Sequence, residues 1–466
     1  MTWLLACSTP VEPSPTPVVL VSIDTLRADH LGSYGYAISE TSPALDAFAR
    51  DAVLYEHAVS SAPWTTPAHV SLMTGLYPGH HGVTQYYFDL IDALERGDGV
   101  RSLDPAVQTL AEHLGSAGYA TAAFTGGGSM DPKVGLGQGF ATYETDHYKL
   151  TDAHVAELSS WTAGHAEQPF LLFWHSFEVH APYTDTRFID RPELAAELAE
   201  FDRILRSGPP DNEARQQAHT DYSATLKAHD AVHPKVTMAL YDGGIRAMDG
   251  HFADLVSELK EQGLYERALI IVTSDHGEEF VDHGNHFYDA HGHTLYEELV
   301  HVPLLVKWPG GEHAGTHVTT TVPTVDVMPT ILSILELPVP EDIDGAPLPT
   351  AAADHRVAIS EALNQRGEAK AVQDGQSKLI LYVEDHQVAE HGRHWLPEEG
   401  RSELFDLVAD PKEKTALSRP APKLERTLRE HVAASAASEV KVEFDEATVR
   451  QLEAMGYVDP AKPDEP

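Results

Sequence analysis

The sequence predicts an α/β protein built on a large, doubly wound mixed or parallel sheet with helices on both faces, followed by a small α+β C-terminal subdomain. Three observations predict it. Five apolar runs of strand length recur between Val18 and Trp308, helical patterns fall between them, and Asp or His residues stand at the ends of three of the runs.

The first run, "VVLVSID" (Val18–Asp24), is continuously β-branched and apolar, the pattern of a strand buried on both faces of a sheet. Similar runs are "YATAAFTG" (Tyr119–Gly126), "PFLLFWHSF" (Pro169–Phe177), "ALIIVTSDHG" (Ala268–Gly277) and "VPLLVKW" (Val302–Trp308). The clearest helical stripe is Tyr241, Ile245, Met248, Phe252, Leu255 and Leu259, which alternates steps of four and three. Charged, weakly periodic sequence from about Asp190 to His233 reads as a helical insertion. The Pro- and Ala-rich stretch Leu337–His355 reads as a linker, after which "SKLILYV" and "ELFDL" are short strands among helices. The expected organisation is a tether over 1–17, a catalytic α/β domain over 18–340, and a smaller α+β subdomain over 341–466. No internal repeat is present.

Composition narrows the function. The chain has 466 residues, with 32 Lys+Arg against 72 Asp+Glu, a formal charge of −40. Such a surface repels nucleic-acid phosphates and anionic lipid headgroups, so neither is an expected partner. The lone cysteine, Cys7, ends "LLAC", which resembles a bacterial lipobox and is followed by the extended "STPVEPSPTPV". Export to the periplasm or cell surface as a lipoprotein is therefore the expected location, with membrane contact only through an anchor at Cys7. No window reaches the roughly 18 apolar residues of a membrane-spanning helix.

In doubly wound folds the carboxyl ends of the strands build the active site. Asp24, His175 and the pair Asp275–His276 stand at or just beyond such ends. Each alone could simply cap a turn; three strands ending this way point to a site. Asp24, Asp275 and His276 offer two carboxylates and an imidazole, most of a set of metal ligands. "WTTPAH" (Trp64–His69) admits two readings. Thr65 is a helix N-cap ahead of a proline, or a nucleophile at a helix N-terminus whose N–H groups accept an anion. His180, in "FEVHAPY", could donate to a substrate oxygen or protonate a leaving group. The histidines of the Gly-rich loop after His276 (His283, His286, His291, His293) read individually as surface residues.

Seven segments in order resemble one family. They are "VSIDTLRADHLGSYGY", "SSAPWTTPAHVSLMTGLYPGHHGV", "SFEVHAPY", "TSDHGEEF", "HGHTLYEELVHVPLLV", "ELFDLVADPKEKTAL" and "LEAMGYV". Together they are similar to sulfatase-family enzymes of the alkaline phosphatase superfamily. The resemblance implies an alkaline phosphatase-like fold and a metal-dependent hydrolase of sulfate or phosphate-type esters. It aligns Thr65 with the Cys or Ser that sulfatases oxidise to formylglycine, Pro67 with the motif's proline, and His69 with its arginine. Threonine is no formylglycine precursor, so no formylglycine is expected. The resemblance to phosphodiesterases and phosphonate monoester hydrolases is the better fit, with Thr65 as nucleophile and Thr66 structural.

The implied metal ligands are Asp24, Asp275 and His276. Thr25 stands where arylsulfatases have a second acidic residue, and His276 where they have Asn. This donor set favours one divalent ion of Zn, Mn or Fe over Ca. His293 falls where sulfatases place a lysine that contacts the leaving oxygen, and their Lys-x-His motif has no match in "TGGGSMDPKVG". The superfamily's second-metal pair is answered by Asp242 and Arg246, and arginine cannot bind a metal. The expected catalytic set is Thr65, His69, His180 and His293. A small-molecule, glycan or lipid ester is the expected substrate, phosphodiester or phosphonate ester favoured. Two alternatives stay open: a sulfuric ester hydrolase working without formylglycine, and a catalytically silent surface binding lipoprotein.

Overall fold

A computed structural model describes residues 16–84, 99–189, 191–207, 233–280, 282–283, 291–292, 294–353, 356–364, 367–384, 401–435 and 440–454. Cys7, His286, His293, most of the stretch between Asp190 and His233, and the end of "LEAMGYV" lie outside them. Among the described residues no helix is long and apolar enough to cross a membrane.

Among the described residues, ten strands lie before Thr324: β1 (Val18–Ile23), β2 (Val53–Val59), β3 (Val100–Arg101), β4 (Ala120–Phe124), β5 (Thr142–Glu144), β6 (Phe170–Ser176), β7 (Leu269–Thr273), β8 (His301–Val302), β9 (Leu304–Lys307) and β10 (His317–Pro323). Nine of them form one sheet in the order β10-β2-β9-β7-β1-β6-β4-β5, with β8 paired to β2. β1 is fully buried and central, and its alternate residues feed two cores. Val18 and Leu20 belong to one, Val19, Val21 and Ile23 to the other. Burial of both faces is why the run carries no polar alternation.

The helical stripe predicted around Tyr241 lies in the long helix His233–Glu261, and its six residues all join the second core. On the opposite face, Val70, Leu72 and Met73 of the helix Thr65–Thr74 pack into the first core with Ile331 and Leu332 of the helix Val327–Ile334. The sheet is of the mixed kind. β9 runs antiparallel to both neighbours, β7 and β2, within an otherwise mostly parallel sheet. A continuous apolar run reports burial on two faces and carries no information on direction.

The register places the chemistry. Ser22 of β1 lies opposite His175 of β6 on one side and Thr273 of β7 on the other. The carboxyl ends of these three parallel strands therefore sit side by side, bringing Asp24, His175 and Asp275 together.

Beyond the predicted linker, β11 (Val357–Asn364), β12 (Gly367–Asp374), β13 (Ser377–Glu384) and β14 (Ser402–Asp406) form an antiparallel sheet in sequence order. One side of it packs with Leu424 and Leu428 of the helix Pro422–Ala434, the other with Val59, Leu295 and Leu299 of the large sheet's flank. Buried Lys378 joins the two parts, its Nζ lying 2.9 Å from Glu297 and 3.0 Å from Glu413. The chain then returns: β15 (Lys441–Val442) pairs with β3. In the helix Glu446–Ala454, Gln451 Oε1 accepts from Gly128 N–H at 3.1 Å.

Candidate active site

The helix Thr65–Thr74 begins one residue earlier than a capping Thr65 requires. Trp64 is its N-cap, in extended conformation, and supplies no side-chain cap hydrogen bond. Thr65 is thus the first helical residue, and the structure gives its hydroxyl no capping role. Instead Oγ1 lies 3.4 Å from His276 Nε2. Thr66 is structural as expected, its hydroxyl donating to Ser129 O at 2.8 Å.

Asp24 and Asp275 each hold one oxygen in hydrogen bonds and leave one without a partner. Asp275 Oδ1 accepts from His276 N–H at 2.9 Å and Thr25 N–H at 3.2 Å. Asp24 Oδ2 lies 3.2 Å from His175 Nε2. Asp24 Oδ1 and Asp275 Oδ2 are fully buried without a hydrogen-bond partner. The turn that aims them is unusual: Thr25 has φ 58°, a left-handed conformation that a β-branched residue seldom adopts. Tyr241 braces it by donating to Thr25 O at 2.7 Å. Thr25 Oγ1 donates to Asp24 O and takes no part in the cluster.

The histidine tautomers follow from their carbonyl partners, since a carbonyl only accepts. His276 Nδ1–H donates to Gly277 O at 2.8 Å, which leaves the Nε2 lone pair aimed at the cluster, 3.3 Å from Asp275 Oδ2. His69 Nδ1–H donates to Thr65 O at 2.8 Å, and its Nε2 accepts from Ser22 Oγ at 2.8 Å. Both ring nitrogens of His69 are therefore spent on holding the start of the helix. His180 Nδ1–H donates to Ala181 O, so its Nε2 is unprotonated while the ring is neutral. Lys149 fixes that loop, its Nζ donating to Phe177 O, Glu178 O and His180 O at 2.8, 3.0 and 2.8 Å.

Electrostatics agree with a site built for a cation. Burial, then the neighbouring Asp275, pushes the Asp24 carboxyl well above its ordinary value. Burial also pulls His276 down to about 4 and, with His291 adding to it, His180 down to about 3. Two buried carboxylate oxygens and an imidazole lone pair facing one another repel unless a positive charge lies among them. Asp24, Asp275 and His276 have donor atoms within 4.8 Å of one another. These residues fit a divalent metal.

Two residues were underestimated from sequence. His175, noticed only at a strand end, contacts Asp24 directly. His291, read as a surface histidine, is buried: its ring lies 4.5 Å from His276 and 5.1 Å from His180, and stacks on Trp64 at 5.6 Å. Its Nδ1 bonds Glu278 at 2.9 Å. The signal available was its nearness to the Asp-His pair, but a Gly-rich loop hides any periodicity. Asp242 and Arg246 stay away from the cluster. Asp242 bonds His30, Tyr36 and Ser39, and Arg246 pairs with Asp249 at 3.0 Å.

Fold and strand-end chemistry together define a class, the ester hydrolases with an alkaline phosphatase-like core. The sequence profile described as Sulfatase matches residues 16–337, more than half of the chain, and the protein belongs to the sulfatase family. A second profile, N-sulphoglucosamine sulphohydrolase C-terminal, matches residues 283–436. Among characterised relatives, an ulvan-active sulfatase from Formosa agariphila is 25% identical over 430 residues, covering 87% of this chain and 78% of that one. Arylsulfatase K of Xenopus laevis is 30% identical over 189 residues, 37% of this chain and 32% of that protein. Among solved structures, the phosphonate monoester hydrolase of Agrobacterium radiobacter aligns with a TM-score of 0.60 at 20% identity, over 89% and 94% of the two chains. A protein solved with D-glucosamine-2-N,6-O-disulfate aligns with a TM-score of 0.63 at 16% identity, over 97% of this chain and 100% of that one.

Proposed function

We propose that the protein hydrolyses phosphodiesters or phosphonate esters with Thr65 as its nucleophile, assisted by one divalent ion held by Asp24, Asp275 and His276. The observation that carries this reading is the placement of the Thr65 hydroxyl. It caps nothing, and it faces the His276 lone pair beside two unpartnered carboxylate oxygens. A bound cation would lower the pKa of the hydroxyl and offset the charge of the substrate. Two oxygen donors and one nitrogen donor favour zinc, manganese or iron over calcium.

In the first step the proton of Thr65 Oγ passes to His180 Nε2 and Oγ bonds to phosphorus, while the ester oxygen departs with the bonding electrons and takes up that proton. Water then attacks the same phosphorus, breaks its bond to Thr65 and restores the hydroxyl. His69 holds the nucleophile's own carbonyl, and so keeps Oγ aimed. His180 Nε2, unprotonated in its neutral tautomer, takes up a proton and returns it to the leaving oxygen. His293 is proposed to assist the leaving group. The preference for phosphorus over sulfur rests on Thr65, which cannot become formylglycine.

A cleft of about 300 Å³ beside the start of the nucleophile helix is suited to the alcohol of a small-molecule or glycan ester. Trp64, Pro67, Arg101, Glu361 and Lys370 are among its walls. Trp64 also stacks on His291, which joins the cleft to the ligand cluster.

A panel of chromogenic esters tests the reading: a phosphate monoester, a phosphodiester, a phosphonate monoester and a sulfate ester on one leaving group. The expected order places kcat/KM for the diester or phosphonate ester at least 10-fold above the sulfate. A sulfate ester turned over fastest would overturn the preference, and no turnover of any ester would overturn the mechanism.

A further inference from the structure

We propose that His175 is a positioning residue of the cation site, whose Nε2–H holds Asp24 Oδ2 so that Oδ1 alone is offered to the ion. The inference rests on the reading of Asp24, Asp275 and His276 as ligands. It starts from an asymmetry between the two carboxylates. Asp275 keeps Oδ2 unpartnered because backbone N–H groups of Thr25 and His276 take Oδ1. Asp24 keeps Oδ1 unpartnered, and the group on its Oδ2 is His175 at 3.2 Å. His175 thus does for one carboxylate what the main chain does for the other.

The proton needed for this is placed by the fold. Gly126 N–H points at His175 Nδ1 at 3.4 Å, and an imidazole that accepts at Nδ1 carries its hydrogen on Nε2. Only glycine lets the backbone approach so closely: a Cβ at Gly126 would lie 2.1 Å from Phe177 Cδ2. Phe177 and His69 then pack edge-on against the His175 ring, with centroids at 4.6 and 4.8 Å, and brace its plane. The backbone adds register. Asp24 N–H donates to Ser176 O at 3.1 Å, fixing the carboxylate beside the imidazole of the adjacent strand.

Direct ligation by His175 is a different arrangement. It would need Nε2 stripped of its hydrogen and a hydrogen moved to Nδ1, where the Gly126 N–H already points. A histidine kept only for packing is a third arrangement, in which the distance to Asp24 has no consequence for the ion. Partners that orient a metal ligand typically change metal affinity by about 10- to 100-fold when removed, without altering the ligand set.

Cobalt(II) titration of the full chain, followed by d–d absorption, separates the three. The wild type should take up about one equivalent and Asp275→Ala none. His175→Leu, which fills the space without a donor, should weaken cobalt binding by about 10- to 100-fold with an unchanged absorption envelope at saturation. His175→Gln, whose amide N–H can reach Asp24, should recover affinity to within about 5-fold of wild type. If the leucine variant does not fold, His175→Asn, polar but too short to reach Asp24, carries the same expectation. Affinity within twofold of wild type for the leucine or asparagine variant overturns the proposal in favour of packing. A changed envelope at saturation overturns it in favour of direct ligation. A wild type that takes up no cobalt overturns the cation site itself, and the proposal with it.

Discussion

Replacing Thr65 by alanine separates a nucleophile from a helix cap, because the two roles predict losses in different quantities. A true Thr N-cap costs about 0.5–2 kcal/mol of stability when cut to alanine, and leaves chemistry alone. Here the cap position belongs to Trp64 and the hydroxyl makes no cap bond. The stability change is then the burial of one methyl, about 0.8 kcal/mol, against a helix-propensity gain of roughly 0.5 kcal/mol for alanine. The two nearly cancel, so the melting temperature should stay within a few degrees. The rate should not. Loss of nucleophilic attack predicts a fall in kcat of ~10³-fold or more, which is at least about 4 kcal/mol of barrier. The assay is steady-state turnover of the best ester of the panel beside thermal melting of the same preparations. Thr65→Ser should keep activity within about 10-fold, since it keeps the hydroxyl. If Thr65→Ala turns over within 10-fold of wild type, Thr65 is not the nucleophile and the proposed chemistry is wrong.

Two further perturbations test the surroundings of the site. Lys149→Met removes three donors from the carbonyls of Phe177, Glu178 and His180 while preserving the aliphatic stem. We expect roughly 3 kcal/mol of lost stability, and a fall in kcat of about 10²-fold from the displaced His180. Full activity would show that the loop keeps its place without the ammonium. The second perturbation concerns pH. Burial, and then Glu298, raises Glu279 to about 8. A carboxyl raised on folding contributes stability that is complete below its unfolded value, near 4.5, and is lost as pH rises through about 8. Thermal melting of the wild type should therefore fall more steeply between about pH 5 and 8 than that of Glu279→Gln, and the two should run parallel above that window. Parallel curves would remove Glu279 as the cause.

The parts of the fold that sequence made legible are those whose signal is local. β1, β4, β6, β7 and β9 announce themselves as apolar runs because both faces of the sheet are covered, and the Tyr241 stripe announces the helix that covers one of them. Strand direction is not local, which is why β9 could not be recognised as antiparallel. Asp24 and the Asp275–His276 pair stood out as candidates because they lie within three residues of the ends of β1 and β7. Thr25 did not, since β-branched residues disfavour φ 58° and nothing in its neighbours signals the strain.

His175 shows most clearly where sequence reasoning ends. Alone it is an imidazole at the close of a strand, equally suited to capping a turn or filling a core. Its meaning comes from three separations that no window of sequence contains: 151 residues to Asp24, 49 to Gly126 and 106 to His69. The parallel register of β1 and β6 closes the first, the return of the chain after β4 closes the second, and the helix Thr65–Thr74 closes the third. A candidate ligand can be read from its residue type and strand-end position. A residue that holds a neighbouring carboxylate can be read only from the register that brings the two together, so the surroundings of a strand-end cluster emerge from structure even where its acidic residues stand out in sequence.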